Sequence, residues 1–412
     1  MTTPQTPKTP PRWLWRNTNF ILLWSGQLVS QFGSRISTLA LPLLVLALTD
    51  SPAQTGFVSA LEALPYLLLS LPGGALIDQL NRKALMIWCD TARVIAFGSI
   101  PLVYVFSQLD MPQIYLVALV SGVTKVLFDI TALAALPNVV APGQFSQAAS
   151  MNFMSEELAK LGGPTVGGAL IGLGKTTVAG AVLAYLADTL TYLVSVISLL
   201  FIKVPFQGER RGQSLRTLWP NIAEGLQFVW HERHLRWMMF ITAGTNVLLS
   251  PLLIIIVVLA KDQFQADAWT LGLMLSSVGL GGLAGAALAP HILKRLKPMP
   301  VFFLTVTGWA LGVLLIALAG SIWPVAIGYC LVGLLDPIFS INVQTYRALL
   351  SPDHLQGRVI SSFRVVTFGI EPLGLALGGA FLGILGANEL LWIIAGGLLL
   401  CAFASGLVLK TS

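Results

Sequence analysis

Twelve apolar runs, each long enough to cross a lipid bilayer, occupy most of this 412-residue chain. A helix needs about 20 residues to cross a roughly 30 Å hydrocarbon core. Such runs fall near residues 18–48, 54–77, 84–107, 113–136, 152–173, 178–203, 237–260, 270–293, 300–320, 322–346, 361–386 and 388–410. The short polar connections leave no room for a folded soluble domain. Backbone groups in lipid must be hydrogen-bonded internally, so the predicted fold is an all-α membrane protein of twelve transmembrane helices. Only 10% of the residues are charged, against about a quarter in soluble domains. Water is therefore not the main solvent of this surface.

The cations are distributed by side. With the N-terminus in the cytoplasm, the inner connections collect Lys8, Arg12, Arg82, Lys83, Arg233, Arg236, Lys294 and Arg295 among others, and the outer ones only Lys175 and Lys261. By the positive-inside rule this predicts both termini cytoplasmic, in a bacterial-type inner membrane. The net charge of +6 is then a topology signal and needs no nucleic-acid partner. Residues 1–17 read as a cytoplasmic tail without a cleavable signal pattern, 18–203 as a first six-helix bundle, 204–236 as a central cytoplasmic loop and 237–412 as a second six-helix bundle.

The halves repeat one another. Arg82-Lys83 matches Lys294-Arg295, Ala141-Pro142 matches Ser351-Pro352, and Gly163-Pro164 matches Glu371-Pro372, at offsets of 212, 210 and 208. Six spans per half make the copies parallel repeats, an arrangement that places a cargo site near the membrane midplane between the halves.

The connection after span two reads Gly74-Ala75-Leu76-Ile77-Asp78-Gln79-Leu80-Asn81-Arg82-Lys83. A Gly, an Asp at plus four and cations at plus eight and nine, between two spans, resemble the cytoplasmic signature loop of the major facilitator superfamily of secondary transporters. The family pattern has Arg and Gly where this chain has Gln79 and Asn81. A plain turn carrying topology charges is the alternative, although Asp78 would then serve no purpose. The resemblance implies two pseudo-symmetric six-helix bundles, and a gate in which Gly74 permits close approach while Asp78 and the cations hold one conformation shut. Candidate partners are Asp129 for Arg82 and Arg364 for Asp78, with Lys83 supplying further charge.

In span five, Gly163-Pro164 followed by Gly167-Gly168 resembles the kinked stretch of antiporters in the same superfamily. There Pro removes a helix hydrogen bond and the glycines admit a neighbouring helix; simple close-fitting of helices would use the same residues. Ala187-Asp188-Thr189, Glu224-Gly225-Leu226, Gly357-Arg358-Val359 and Pro372-Leu373-Gly374 resemble the drug:proton antiporter branch that includes macrolide-efflux and siderophore-export proteins. Gly172-Leu173-Gly174-Lys175-Thr176-Thr177 imitates a phosphate-binding loop, but Ala169 stands where the first Gly is required and no strand precedes it. An enzyme is not expected.

Ionisable residues inside spans are functional candidates by default. Asp90/Arg93 and Lys125/Asp129 have the helical spacing to neutralise each other. Arg35, Asp188, Asp336 and Glu371 lie deep, and Glu62 lies toward the outer part of span two. Carboxylates without a local counter-charge are what proton coupling needs, so Asp188, Asp336 and Glu371 are candidate coupling residues, in that order. Tyr185, Thr189 and Tyr192 are expected to hydrogen-bond Asp188. Arg35, Glu62, Gln31 and Tyr192 are candidate cavity residues. Cys89, Cys330 and Cys401 have no metal or disulfide spacing, and His231/His234 lack a third ligand, so neither metal nor cofactor is expected. The expected function is proton-coupled export of an amphipathic small molecule by a monomer in the bilayer. The alternatives are a lysophospholipid flippase, needing an apolar lateral opening, and a non-transporting membrane sensor, which should carry a soluble domain.

Overall fold

The computed structural model describes residues 14–69, 73, 77, 79–141, 143–207, 218–352 and 355–409. The chain is all-helical over nearly all of them. The helices are α1 Thr18–Thr49, α2 Pro52–Leu69, α3 Arg82–Phe106, α4 Met111–Val139, α5 Phe145–Gly172, α6 Thr177–Phe201, α7 Leu218–His231, α8 Arg233–Leu249, α9 Leu252–Asp262, α10 Ala268–Arg295, α11 Pro298–Ala317, α12 Ile322–Leu350, α13 Gln356–Gly369, α14 Glu371–Leu385 and α15 Ala387–Leu409. Ten segments, with α8–α9 and α13–α14 each taken as one, are long and apolar enough to cross a membrane. α5 and α2 occupy the other two expected positions. α5 is long enough but carries Glu156, Glu157 and Lys160, and α2 has 18 residues, with Gly73, Ile77 and Gln79 beyond it also helical.

Side-chain caps start many of these helices at the connections. Asp110 accepts from Gln113 N, Thr176 from Ala179 N and Asp267 from Thr270 N, at 2.9 to 3.1 Å, each relieving one of the orphan donors of a first turn. Three boundaries differ from the sequence expectation. Span five begins at Phe145 rather than 152, because its first two turns are polar yet contain no helix breaker. Span seven breaks at Ser250-Pro251 and span eleven at Ile370, just before Glu371-Pro372, where proline lacks the N–H that a continuous helix requires. The two breaks face each other. A methyl group at Gly378 would collide with Pro251, and one at Gly374 would lie 2.7 Å from the Val247 carbonyl.

Helices α1 to α6 pack among themselves, chiefly α1 on α5 and α6, α3 on α4 and α6, and α2 on α4; α8 to α15 do the same around α10–α12, α11–α12 and α11–α15. The two groups meet along two seams, α5–α10 and α2–α14. One end of the molecule carries Arg82, Lys83, Arg233, Arg236, Lys294, Arg295 and Arg358 and is called here the basic end. At the opposite end both seams close on glycine. A methyl group at Gly56 would sit 2.6 Å from Gly379 Cα and from the Leu375 carbonyl, and one at Gly272 3.1 Å from Gly168 Cα. Backbones approach this closely only where Cβ is missing. Lys261 and Asp50 add an exposed 3.1 Å ion pair between the halves at the same end, a minor contribution for so solvated a pair.

Candidate functional site

Between the seams, α5 presents three charges on neighbouring turns toward the middle of the molecule. Lys160 Nζ lies 2.7 Å from Glu157 and 3.5 Å from Glu156, and Glu156 also receives Arg35 of α1 at 3.4 Å. Glu157 is buried and reaches across to α10, where any side chain at Gly282 would strike its Oε2. Beside it, Thr165 N and Oγ1 meet Ser276 Oγ of α10 at 3.1 and 2.6 Å. Pro164 and the glycines of span five divide the work: Gly163 and Gly167 lie against Arg35 and Ile36 of α1, while Gly168 and the Pro164 carbonyl lie against α10.

These groups border a cavity of about 380 Å³ lined by Arg35, Glu157 and Lys160 from one half and Asn246, Trp309, Tyr329, Asp336 and Glu371 from the other. A neighbouring space of about 280 Å³, lined by Arg35, Glu62, Tyr66, Lys125, Ser250 and Glu371, shares Arg35, Ser250 and Glu371 with it. The helix breaks at Pro251 and Glu371 thus fall on the cavity wall, as broken helices do where irregular backbone can face a polar space. Asp129 belongs to the same charged group, within electrostatic range of Lys125, Glu156 and Arg35. Four carboxylates, Glu62, Glu157, Asp336 and Glu371, thus line the joined space with three cations, Arg35, Lys125 and Lys160, and Glu156 pairs with Arg35 and Lys160 beside it. The surplus is negative, and a low-dielectric wall strengthens its field.

Residues 11–410 match the family described as transmembrane secretion effector. The chain belongs to that family. It is accordingly a multi-pass membrane transporter of the major facilitator superfamily, and not an enzyme. It is 26% identical over 381 residues to the multidrug efflux pump Tap of Mycobacterium tuberculosis, covering 88% of each chain. To macrolide efflux protein A of Streptococcus pyogenes it is 22% identical over 395 residues, covering 93% of this chain and 94% of the relative. Its fold superposes on a bacterial homologue of the iron transporter ferroportin in an inward-facing state with a TM-score of 0.74 at 16% identity, covering 96% and 98% of the two chains. The nucleoside transporter NupG gives 0.74 at 15% identity, covering 95% and 99%.

Within this transmembrane secretion effector, some expected site residues converge and others do not. Arg35, Glu62, Asp336 and Glu371 all line the cavity. Asp188 does not: it is fully buried between α6 and α1, accepting from Ser37 Oγ and, at 3.1 Å, from Thr191 Oγ1. Its expected neighbours bond elsewhere, Thr189 to the Tyr185 carbonyl and Tyr192 to Ser34. Room for Asp188 comes from Gly33, where a methyl group would collide with Oδ1. Tyr192 faces a small pocket inside the first half rather than the central cavity. Gln31 lines neither space, and its Oε1 is buried without a partner. Helical spacing had located these side chains in depth, not in azimuth.

The charge pairs also sort themselves out. Asp90 and Arg93 form the expected buried pair at 3.2 Å, with Thr124 and Ser195 completing it and the Phe128 and Tyr192 rings covering Arg93. Lys125 and Asp129 form no ion pair within 4 Å; Lys125 lines the cavity instead. Arg82, for which Asp129 was the expected partner, donates to the Ala134 and Phe206 carbonyls at 3.0 and 3.4 Å. Lys83 donates to the Ile202 carbonyl at 2.7 Å. Arg364 lies eight residues inside α13 and donates to the Tyr66 hydroxyl across the halves at 2.7 Å. Gly74 and Asp78 lie outside the described residues. The Glu156/Glu157/Lys160 set lay inside the expected span 152–173 but was not singled out as a site, because three charges within two turns near a span's end neutralise one another in sequence. Its i, i+3 and i+4 charge pattern was the available signal.

Proposed function

We propose that this transporter exports amphipathic small molecules, driven by proton entry, with the basic end in the cytoplasm. The observation that carries the reading is the cavity between the halves, lined by four carboxylates and three cations and lying on the basic-end side of two glycine seams. Such a site can accept a cationic or protonatable cargo from one side. It then exchanges that cargo for protons when the seams part and the other end closes. The efflux relatives, similar along nearly the whole chain, support the direction.

In this reading Asp336 and Glu371 are the carboxylates that meet cargo or proton, and Arg35 and Lys160 hold Glu156 and Glu157 in place. Asp188 takes part from behind the cavity wall. A space of about 30 Å³, lined by Ser34, Ser37, Glu62, Ser121, Lys125 and Tyr192, has room for about one water. It separates Glu62, which accepts from Ser121 at 2.9 Å, from the Ser37 hydroxyl that Asp188 holds. A proton can pass from the cavity to Asp188 along those groups. The charged lining disfavours the lysophospholipid reading, since lipid tails need an apolar passage.

Everted vesicles containing the protein test this. Rhodamine 123 should accumulate in them under an inside-acid gradient, and stop when an uncoupler collapses it. Accumulation that survives the uncoupler rules out proton coupling.

A further inference from the structure

A further cavity lies within the second half and carries two cations where the centre has a surplus of carboxylates. It measures about 470 Å³ and is walled by α8, α11, α12 and α13 alone. Asn246, Trp309, Asp336 and Phe368 line both it and the central cavity, so the two spaces join. Asp336 stands where they meet. Eleven residues further along α12, about 16 Å along the axis at the helical rise, Arg347 lines the end nearer the basic face, opposite Arg364 of α13.

Two guanidinium groups share this end. They are close enough to repel each other, and among the described residues neither forms an ion pair. Among the described residues Arg347 makes no side-chain hydrogen bond; its guanidinium lies over the Phe363 ring, 5.5 Å from the centroid. Arg364 donates only to Tyr66, a neutral hydroxyl. A guanidinium carries five donors in a planar fork suited to an oxyanion, so most of the ten have no protein acceptor. Like charges held together in a partly desolvated cavity cost energy that a bound anion recovers. The rest of the wall combines the rings of Trp309, Phe339, Phe363 and Phe368 with small polar side chains such as Thr242 and Gln344, and Trp309 and Phe339 have ring centroids 4.6 Å apart.

We propose that this cavity is an anion-accepting subsite of the transporter. Arg347 and Arg364 take the carboxylate, sulfonate or phosphate of a cargo whose apolar, ring-bearing body lies against Trp309, Phe339, Phe363 and Phe368. A cargo that also carries an amine can set it against Asp336. The subsite rests on the export reading and extends its cargo class from cations to amphipathic anions and zwitterions. Because the arginines lie toward the basic face, an anionic lipid headgroup and a free organic anion offer them the same chemistry.

The test uses the full chain in phosphatidylcholine nanodiscs and two xanthene dyes of similar size and opposite charge, fluorescein as the anion and rhodamine 123 as the cation, with binding read by fluorescence anisotropy. The double variant Arg347→Gln/Arg364→Gln should weaken fluorescein about tenfold or more, equivalent to about 1.4 kcal/mol, and leave rhodamine 123 within about twofold. Retained rhodamine binding shows that the variant is folded. Arg347→Lys should recover part of the loss, since it restores charge without the fork. Unchanged fluorescein affinity in the double variant overturns the subsite, as does a wild-type protein that binds rhodamine 123 but not fluorescein. Fluorescein binding that depends on both arginines, in a protein that exports neither dye, upholds the site and overturns the export reading. Lysophosphatidic acid identifies the source: displacement of fluorescein supports a lipid headgroup as occupant, and no displacement supports a free organic anion.

Discussion

Substituting Gly56 by valine should drive the opposite end of the molecule open. The first added carbon would lie 2.6 Å from both Gly379 Cα and the Leu375 carbonyl oxygen, whereas carbon contacts are comfortable from about 3.5 Å. Both neighbours are backbone, so no rotamer change relieves the clash, and α2 and α14 must part by about 1 Å. Overfilling a packed site costs typically about 1–3 kcal/mol. Here the cost falls only on the conformation in which the two helices touch. At about 1.4 kcal/mol per tenfold, the closed state loses about 5- to 150-fold in population relative to the open one. Transporter conformations differ by only a few kcal/mol, so such a bias is enough to change which state prevails. Spin labels at Lys175 and Gln263, on the exposed connections flanking the other seam, report the change by pulsed electron resonance: Gly56→Val should lengthen their separation and slow export. Gly396→Val is the control, because nothing lies within 4 Å of that position. A Gly56→Val protein with the wild-type distance distribution and export rate would refute the argument that the seams are the gate.

Other variants probe separate parts of the molecule. Arg93→Gln should destabilise the first half by about 3–5 kcal/mol, because it strands the buried Asp90 carboxylate, while Asp90→Asn added to it should restore most of the melting temperature; equal melting of all three proteins would count against a structural pair. Asp188→Asn should abolish gradient-driven accumulation of rhodamine 123 yet permit downhill exchange, and normal accumulation would move the coupling role to Asp336 or Glu371. Arg82→Ala should slow export while leaving cargo binding within about twofold, since it removes the contacts to the Ala134 and Phe206 carbonyls near the basic end; an unchanged rate would make the signature loop a mere turn. Asp267 is held below the ordinary carboxylate range by its hydrogen bonds with Thr270. Its capping contribution is therefore complete above about pH 4 and fades as the pH falls through the depressed value. Asp267→Ala should accordingly melt slightly lower than wild type at pH 7, and the gap should narrow as the pH falls below the ordinary carboxylate range and close once it is under the depressed value. A gap independent of pH would assign the effect to something other than the cap.

The distribution of charge explains how one scaffold can combine a rigid frame with a movable site. Inside the first half, Asp90 and Arg93 are matched, hydrogen-bonded and covered by aromatic rings, which fixes α3 against α4 and α6. Between the halves the charges are unequal in number and border open space. A matched pair stays satisfied in every conformation, whereas an unmatched cluster changes in energy when water, proton or cargo enters. Glycine rather than charge forms the seams, and that suits a contact that must break and reform: parting two backbones exposes little polar surface, while parting a buried ion pair would leave two uncompensated charges.

The length of the apolar runs alone was enough to determine the all-helical membrane fold and the spans near their observed places, because the bilayer imposes length and polarity on each segment independently of its neighbours. The signature motifs likewise identified the superfamily before any coordinates. Tertiary structure decided everything that depends on which way a helix is turned. Asp188 and Asp336 look alike in sequence, each deep within an apolar span, yet one is enclosed by Ser37 and Thr191 and the other opens onto two cavities. Arg35 was legible as a cation deep in a span, and Glu156 lay inside the expected span five, but nothing in either helix's own sequence says that the two meet. Arg347 and Arg364 sit seventeen residues apart on different helices, and only the fold of α12 against α13 makes them neighbours. Depth in the membrane is a one-dimensional property that a chain can encode locally. Azimuth and partnership arise from contacts between distant segments, and no local pattern carries them.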